Sequence, residues 1–184
     1  MNKKNILIGA TGSISILELP FWIETIRKSI HSNIKIILTD NARRFVREEV
    51  LSAIICDTVH VSNFEINDFS AHHSVLAQWA DILIVLPATA NIIGKVANGI
   101  ADDLLTSTAI AINKPILFAP AMNKDMWGNK AVQRNIKILR NDNHTVIEPD
   151  EAMAYQISKS KEAEGFKINI NKVIIHLNRA FMSK

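Results

Sequence analysis

Short apolar runs alternate with amphipathic stretches along this chain. Runs rich in Ile, Leu and Val occur at Asn5–Ala10, Ile34–Leu38, Ile82–Leu86 and Ile116–Ala119, with shorter extended pieces at Val59 and Thr145–Ile147. Runs of this kind are typical of strands buried on both faces of a parallel sheet. The stretches between them have helical spacing, which predicts helices at Ser15–Ser29, Asn41–Ile54, Ala71–Trp79, Asn91–Ile112, Lys124–Arg140 and Ile170–Phe181.

This alternation predicts an α/β fold, a doubly wound, Rossmann-like or flavodoxin-like parallel sheet with helices on both faces. We expect one domain over residues 1–184, because 184 residues with 48% hydrophobic content suffice for a single core. Asn41 is placed to cap its helix, and Gly99 is expected to break the stretch Asn91–Ile112 into two helices. The polar segment 149–166 interrupts the pattern, and we expect it to be mobile.

Composition excludes several classes of function. The formal net charge is +3, from 21 basic and 18 acidic residues, which is too small to indicate nucleic-acid binding. No apolar run approaches the roughly 20 residues that span a bilayer, so no membrane partner is expected. The single cysteine, Cys56, fits a reducing compartment, and we expect a cytoplasmic protein. The adjacent His72 and His73 lack further ligands at metal-binding spacing, so no metal is expected.

Unusual loops follow the predicted strands, at the edge where doubly wound sheets bind ligands. In Gly9–Ser15, Gly12 allows close backbone approach, and Ser13 lies beside a helix N-terminus, which attracts anions. The loop matches neither the dinucleotide fingerprint nor a P-loop, so a plain tight turn is an equal interpretation. Thr39 is either a phosphate-binding hydroxyl or a helix cap, and Asn91 either binds a ligand or caps the following helix.

Two motifs in the later loops resemble those of a known family. Pro87–Asn91 reads P-A-T-A-N, and Pro120–Trp127 reads P-A-M-N-K-D-M-W. Together they resemble the flavin-dependent cysteine decarboxylases, from about Asn5 to Glu148. That family includes the phosphopantothenoylcysteine decarboxylases of coenzyme A biosynthesis and the peptidyl-cysteine decarboxylases of lantibiotic biosynthesis, of the epidermin and mersacidin type.

The resemblance implies a bound flavin, FMN with FAD as an alternative, held by the loops at the strand ends. The positions that match the family's cofactor-binding residues are Gly12, Ser13, Ile14, Thr39, Ala88, Thr89, Ala90 and Asn91. Small residues there suit a flat ring lying against backbone. Asn91 can both donate and accept hydrogen bonds, as the pyrimidine edge of a flavin requires.

The resemblance also implies the catalytic and substrate-binding residues. His73 lies six residues before Trp79-Ala80-Asp81, the spacing of the family's active-site histidine, and an imidazole can move a proton near neutral pH. Asn123 matches the residue that holds the substrate carboxylate. The neighbouring substrate-binding positions are Met126 and Trp127, with Met153 and Tyr155 in a segment similar to the family's mobile substrate clamp.

The two subfamilies differ at their product. In both, the flavin oxidises a cysteine thiol to a thioaldehyde, and decarboxylation then gives an ene-thiol. The coenzyme A enzymes reduce that ene-thiol with a cysteine in a late A-C-G segment. Here the corresponding region, Glu148–Ser158, contains no cysteine. The sequence therefore predicts oxidative decarboxylation of the C-terminal cysteine of a precursor peptide, with the coenzyme A reaction as the alternative.

Other classes stay open. Some relatives of this fold are flavin-binding regulatory subunits, and flavin prenyltransferases share the architecture. His73 and Asn123 argue against a purely regulatory role, and Arg43, Arg44 and Arg134 are not obviously placed for a prenyl phosphate. The resemblance implies a homotrimer or homododecamer with the flavin at subunit contacts.

Overall fold

The computed structural model describes residues 3–61, 71–154 and 163–182. The strands of its main sheet are β1 (Lys4–Ala10), β2 (Ser32–Leu38), β3 (Val59–His60), β4 (Ile82–Ala88), β5 (Leu117–Pro120) and β6 (Thr145–Val146). The helices are α1 (Leu19–Ser29), α2 (Glu48–Ile55), α3 (His72–Trp79), α4 (Ala90–Ala97), α5 (Leu104–Ala111), α6 (Lys124–Gly128), α7 (Lys130–Asn141) and α8 (Ile170–Met182). Short 3-10 helices occupy Ile14–Glu18 and Ala42–Arg44. No helix within these described ranges is both long and apolar enough to cross a membrane.

The main sheet is parallel, with strand order β3-β2-β1-β4-β5-β6. Helices α1, α2 and α8 pack on one face, around Trp22 and Ile36, while α3, α4, α5 and α7 pack on the other, around Leu105 and Phe118. Burial on both faces explains why the strands read as unbroken apolar runs. The predicted doubly wound α/β fold is confirmed.

The strand order reverses between β1 and β4, which are hydrogen-bonded neighbours. Chain progression from β1 goes outward through β2 to β3, whereas from β4 it goes outward through β5 to β6. The loops after β1 and β4 therefore diverge to opposite sides of the sheet and leave a crevice at its carboxyl edge. Every loop that the sequence singled out lies at this edge.

Several predicted helices are divided in the structure. The expected helix Asn41–Ile54 is wrong as one element, because Ala42–Arg44 forms a 3-10 turn separate from α2, and the Asn41 side chain makes no cap. Lys124–Arg140 is divided at Asn129, whose side chain accepts the Ala131 N–H at 2.8 Å and so starts α7. The break expected at Gly99 is confirmed, since Gly99 has φ of +69° between α4 and α5.

A separate antiparallel hairpin follows the sheet. Strand β7 (Asp150–Ala154) pairs with β8 (Ala163–Lys167), and these strands overlap the polar segment 149–166 that we expected to be mobile. Strand β8 joins the main body beside the loop after β5, through a bridge between Asn123 and Gly165 and a hydrogen bond of 3.1 Å from the Phe166 N–H to the Met122 carbonyl. The hairpin therefore brings a second wall to the carboxyl edge.

Candidate functional site

Thr11 ties together the loops on either side of the crevice. Its side chain is buried and its hydroxyl donates to the Pro87 carbonyl at 2.7 Å. The same oxygen accepts the Thr89 N–H at 3.2 Å. The loops after β1 and β4 are thus held in one fixed arrangement. Sequence reasoning missed Thr11, because a threonine in a turn carries no signal of a partner 76 residues away along the chain.

Gly12 lets the loops after β1 and β2 meet. A Cβ atom at this position would lie 2.6 Å from Asn41 Cβ and 3.0 Å from the Asn41 carbonyl carbon. Such contacts are far shorter than packed atoms permit, so any side chain here would push the two loops apart. The sequence predicted that Gly12 allows a close approach of the backbone. In the structure, that approach is to the loop after β2.

The first of two adjoining cavities, the β2-side cavity, has a volume of about 510 Å³. Its walls come from the loops after β1, β2 and β4 and from the start of α5. Its lining includes Gly12, Thr39, Asn91, Lys95, Asp102 and Asp103. This cavity lies over the crevice between β1 and β4, where doubly wound sheets bind nucleotides.

Helix α4 begins at the edge of this cavity. Thr89 is its N-cap, with the Thr89 hydroxyl accepting the Ile92 N–H at 3.5 Å. The suggestion that Asn91 caps this helix is therefore wrong, and the Asn91 side chain is exposed. The backbone N–H groups of Ala90 and Asn91 have no acceptor among the described residues. Free amides in the first turn of a helix attract anionic or carbonyl groups.

Thr39 closes a turn with its backbone. Its carbonyl accepts the N–H groups of Ala42 and Arg43 at 2.9 and 3.1 Å. Its hydroxyl lies 3.3 Å from the Ala10 carbonyl, to which it donates. The hydroxyl therefore still has lone pairs to offer a ligand in the cavity, but its proton is already engaged.

Three charged side chains from α4 and the segment before α5 lie together in the lining of the β2-side cavity. Lys95 Nζ lies 2.8 Å from an Asp102 carboxylate oxygen and 3.7 Å from an Asp103 carboxylate oxygen. The hydrogen bond to Asp102 raises the pKa of Lys95, and the same bond lowers the pKa of Asp102. Asp103 also starts α5 through a capping box with Thr106. These contacts hold α4 and α5 together at the cavity wall.

The second cavity, the hairpin-side cavity, has a volume of about 270 Å³ and lies between the loop after β1, the loop after β5 and strand β8. Its lining includes Ser13, Ile14, Asn123, Met126, Phe166 and Lys167. The Phe166 ring lies 5.5 Å from the Trp127 ring, centroid to centroid, at an angle of 46°. The lining of the hairpin-side cavity is therefore more apolar and aromatic than the lining of the β2-side cavity.

Asn123 has a fixed amide orientation in this cavity. It is the N-cap of α6, and its Oδ1 accepts the Met126 N–H at 2.8 Å. Because the oxygen is used by the helix, the Nδ2 group is left to donate. An amide donor beside apolar side chains can bind a carboxylate that has lost most of its water.

The structure brings most of the predicted site residues to these two cavities. Gly12, Thr89, Ala90 and Met126 line both; Thr39 and Asn91 line the first; Ser13, Ile14 and Asn123 line the second. Ala88 is fully buried in β4 and lines neither, although its carbonyl accepts the Ala121 N–H at 3.1 Å. Trp127 lines neither cavity, but its ring contacts the Phe166 ring of the hairpin-side cavity. Tyr155 and the side chain of Met153 fall outside the described part of the structure.

His73 lies apart from both cavities. It belongs to the first turn of α3, and neither cavity includes it among its lining residues. Its Nδ1 atom is buried and has no hydrogen-bond partner among the described residues. A buried imidazole nitrogen without a partner is unfavourable, and a bound group or a second chain can satisfy it.

The comparisons with known proteins agree with this architecture. Residues 1–175 match the model of the Flavoprotein family, so the chain belongs to that family. It is 34% identical over 185 residues to mersacidin decarboxylase from a Bacillus species, covering 100% of this chain and 94% of that protein. It is also 41% identical over 152 residues to the coenzyme A biosynthesis bifunctional protein CoaBC of Bacillus subtilis, covering 82% of this chain but only 37% of CoaBC.

A solved structure gives the same result. The FMN-dependent cysteine decarboxylase SpaF has a TM-score of 0.81 and 31% identity, with 96% of this chain and 97% of that chain covered. The resemblance to flavin-dependent cysteine decarboxylases is thereby confirmed. The residues present also fit a flavin: free helix-start amides, hydroxyls and small side chains surround a cavity of about 510 Å³ between β1 and β4.

Proposed function

We propose that this protein is an FMN-dependent decarboxylase that oxidises the C-terminal cysteine of a precursor peptide and releases the peptide as an aminoenethiol. Its similarity to mersacidin decarboxylase extends over the full chain. The peptide would lose carbon dioxide and two hydrogens, and the reduced cofactor would be reoxidised by oxygen. FMN, when bound, supplies the acceptor for the two electrons that leave the thiol.

The position of the only thiol carries this assignment. Cys56 follows α2 at the amino edge of the sheet, in a groove shared with Ser32 and Trp79. The hairpin-side cavity lies at the carboxyl edge, and the hairpin sequence from Asp150 to Lys167 contains no cysteine. A chain without a thiol beside the substrate has none to assist reduction of the ene-thiol by the reduced cofactor. This supports release of the unsaturated product.

The chain's own groups would then have separate tasks. The Asn123 amide would donate to the α-carboxylate of the substrate cysteine through Nδ2, since its Oδ1 already accepts the Met126 N–H. Met126 and Phe166 would exclude water from that carboxylate, which favours the departure of carbon dioxide as a neutral molecule. His73 would carry a proton between the substrate and solvent near neutral pH.

Mass spectrometry tests the reaction directly. Incubation of the FMN-loaded protein with a peptide ending in cysteine should lower the peptide mass by about 46 units, which corresponds to carbon dioxide plus two hydrogens. A matched peptide ending in serine should stay unchanged, because it has no thiol to oxidise. An unchanged cysteine peptide would refute the proposed function.

The coenzyme A reaction is the second candidate, because CoaBC of Bacillus subtilis is 41% identical over the matched residues. Incubation with 4′-phosphopantothenoylcysteine separates the two candidates. Turnover of that compound with no turnover of peptides would favour the coenzyme A pathway. A saturated thiol product would further show that reduction occurs without a cysteine near the cavity.

We further propose that the protein is a homotrimer or homododecamer in which one copy presents His73 to the cavity of another. His73 lines neither cavity of its own chain, which supports this arrangement. A His73→Asn variant should keep its flavin and lose about 10²–10⁴-fold in turnover, the usual contribution of a positioned acid or base.

A complementation experiment tests the exchange of His73 between copies. Each of the variants His73→Asn and Asn123→Asp should be inactive as a pure oligomer. Their co-expression should restore activity, because a mixed oligomer contains cavities with both groups intact. Mixed oligomers that stay as inactive as the parents would refute the sharing of His73, whereas full activity of His73→Asn alone would remove this residue from the mechanism.

A further inference from the structure

Among the described residues that line the β2-side cavity, Lys95 is the one cation. The same described lining carries three carboxylates, from Asp40, Asp102 and Asp103. FMN brings a phosphate with a charge of about −1.5 to −2 near pH 7. The cofactor is therefore an anion that enters a predominantly acidic cavity, and its binding requires that the carboxylates of the lining be neutralised.

Asp40 has a counter-ion outside this lining. Its carboxylate lies 3.4 Å from Arg43 Nη1, and the Arg43 Nε atom lies 2.6 Å from the Glu48 carboxylate. The Asp40 side chain is also 89% exposed, and water strongly screens a charge in such a position. The negative potential in the cavity therefore depends mainly on the other two carboxylates, those of Asp102 and Asp103.

The start of α5 places the Asp103 carboxylate at the cavity. Asp103 is the N-cap of this helix, and its Oδ1 accepts the Thr106 N–H at 2.7 Å. Aspartate is a good N-cap because its carboxylate accepts that bond and its charge faces the positive end of the helix. Because α5 begins in the cavity wall, the cap that the helix needs brings a negative charge into the lining.

Lys95 is shared by both of these carboxylates. Its Nζ lies 2.8 Å from Asp102 Oδ1 and 3.7 Å from Asp103 Oδ2, and its side chain is only 22% exposed. The hydrogen bond to Asp102 raises the pKa of Lys95, so the side chain is a cation near neutral pH. One ammonium group thus offsets part of two negative charges. Without Lys95, the described lining would hold no cation to oppose them.

We propose that Lys95 determines the affinity for FMN by neutralising Asp102 and Asp103, rather than by binding the cofactor itself. In this role the lysine allows a phosphorylated flavin to bind beside a helix that is capped by an aspartate. Lys95 then matters much more to FMN than to riboflavin, which has the same ring and ribityl chain but no phosphate. The inference concerns the cofactor and does not depend on which substrate is decarboxylated.

Titration of the flavin-free protein with FMN and with riboflavin, followed by fluorescence, tests this role. Lys95→Met should weaken the binding of FMN about tenfold, the scale of one unit charge acting across a partly hydrated cavity. The binding of riboflavin should change much less, and the deficit for FMN should shrink in about 1 M salt, which screens charges. The thermal midpoint of the flavin-free variant should change little, because partly exposed ion pairs contribute little to stability.

A second substitution distinguishes neutralisation from a direct contact. Asp102→Asn keeps the shape of the side chain and leaves the Asp103 cap intact, so this variant should bind FMN more tightly than the unaltered protein. Combined with Lys95→Met, it should restore most of the lost affinity, because one negative charge is removed together with the positive one. A lysine that bonded to the phosphate, or that only joined α4 to α5, would leave the double variant as weak as Lys95→Met.

Lys28→Met is the matched control. Lys28 also pairs with a carboxylate, that of Glu24 at 3.5 Å, but on α1 and outside both cavities, so its loss should leave the affinity for FMN unchanged. Equal losses for FMN and riboflavin in Lys95→Met, or a double variant without recovery, would overturn the inference. If Lys95→Met does not fold, Asp102→Asn decides alone, since an affinity for FMN that does not rise would refute neutralisation. No peptide takes part, so this inference and the proposed decarboxylation can fail separately.

Discussion

The two cavities share walls but are built in different ways. The β2-side cavity is enclosed by loops that continue directly from β1, β2 and β4, and Thr11 and Gly12 lock these loops together. In the hairpin-side cavity one wall is strand β8, which contacts the loop after β5 through the bridge at Asn123, one backbone hydrogen bond and the Phe166–Trp127 ring contact. The first cavity is a consequence of the fold, whereas the second depends on an attached hairpin.

Under the proposed function, this difference separates cofactor binding from substrate binding. A rigid cavity over the switch point suits a cofactor that stays bound through many turnovers. A wall carried on a hairpin can differ between relatives without altering the sheet, which allows one fold to accept a peptide in one protein and a pantothenoyl compound in another. Substitutions at the two cavities should therefore have separable effects, on flavin retention for one and on substrate binding for the other.

The sharpest test of this separation is Asn123→Asp, with the largest expected effect. Aspartate is as good an N-cap as asparagine, so the Met126 N–H keeps its acceptor and α6 keeps its start. The donor is replaced by a negative charge that repels the substrate carboxylate. We expect kcat/KM to fall more than about 100-fold, since losing a hydrogen bond to a charged group alone costs about 1.5–3 kcal/mol.

The flavin spectrum and the thermal midpoint of Asn123→Asp should match those of the unaltered protein. Asn123→Ala provides the comparison, because it removes both the donor and the cap and should also lower the free energy of unfolding by about 1 kcal/mol. Full activity of Asn123→Asp would show that Asn123 serves only to start the helix.

A smaller effect, on the cofactor, is expected for Gly12→Ala. The added methyl group would lie 2.6 Å from Asn41 Cβ, so the loops after β1 and β2 must separate. Overpacking of this kind costs about 1–3 kcal/mol. If this cost destabilises only the flavin-bound protein, the affinity for flavin falls about 5- to 150-fold. Titration of the flavin-free protein with FMN, followed by fluorescence, measures that affinity.

Gly128→Ala is the control for this substitution. A Cβ atom at Gly128 would have no neighbour within 4 Å, and neither cavity includes this residue. Its flavin affinity should therefore be unchanged. If Gly12→Ala and Gly128→Ala bind FMN equally well, the contact between the two loops does not shape the cofactor site.

The contrast between the cavities also explains what the sequence could predict. The sheet follows from the apolar runs, because a strand buried on both faces must be apolar at nearly every position. The loop motifs at the strand ends are visible as unusual compositions, and they line the cavities. Gly12 is recognisable as a glycine in a turn. Its contact with Asn41 could not be predicted, because Asn41 belongs to a different loop.

The hairpin was missed for a physical reason. Its sequence lacks the alternation of apolar and polar residues that predicts a strand, because β8 is held by pairing with β7 and by contacts to Met122 and Trp127. The division of Lys124–Arg140 was missed because only the observed cap at Asn129 distinguishes two helices from one. The separation of His73 from both cavities likewise depends on tertiary structure, which spacing along the chain does not report.

The smallest effect is expected for Phe166→Ala, which weakens the attachment of the hairpin. The variant loses the ring contact with Trp127 and keeps the backbone hydrogen bond to Met122. An aromatic pair contributes about 0.5–1.5 kcal/mol, so we expect KM for a cysteine peptide to rise about 2- to 10-fold with little change in flavin affinity. Phe21→Ala, which removes an exposed ring from α1 outside both cavities, should leave KM unchanged. The two cavities share Gly12, Thr89, Ala90 and Met126. If Phe166→Ala lowers the affinity for FMN as much as Gly12→Ala does, the hairpin supports both cavities. The division into a rigid site and an attached wall would then be wrong.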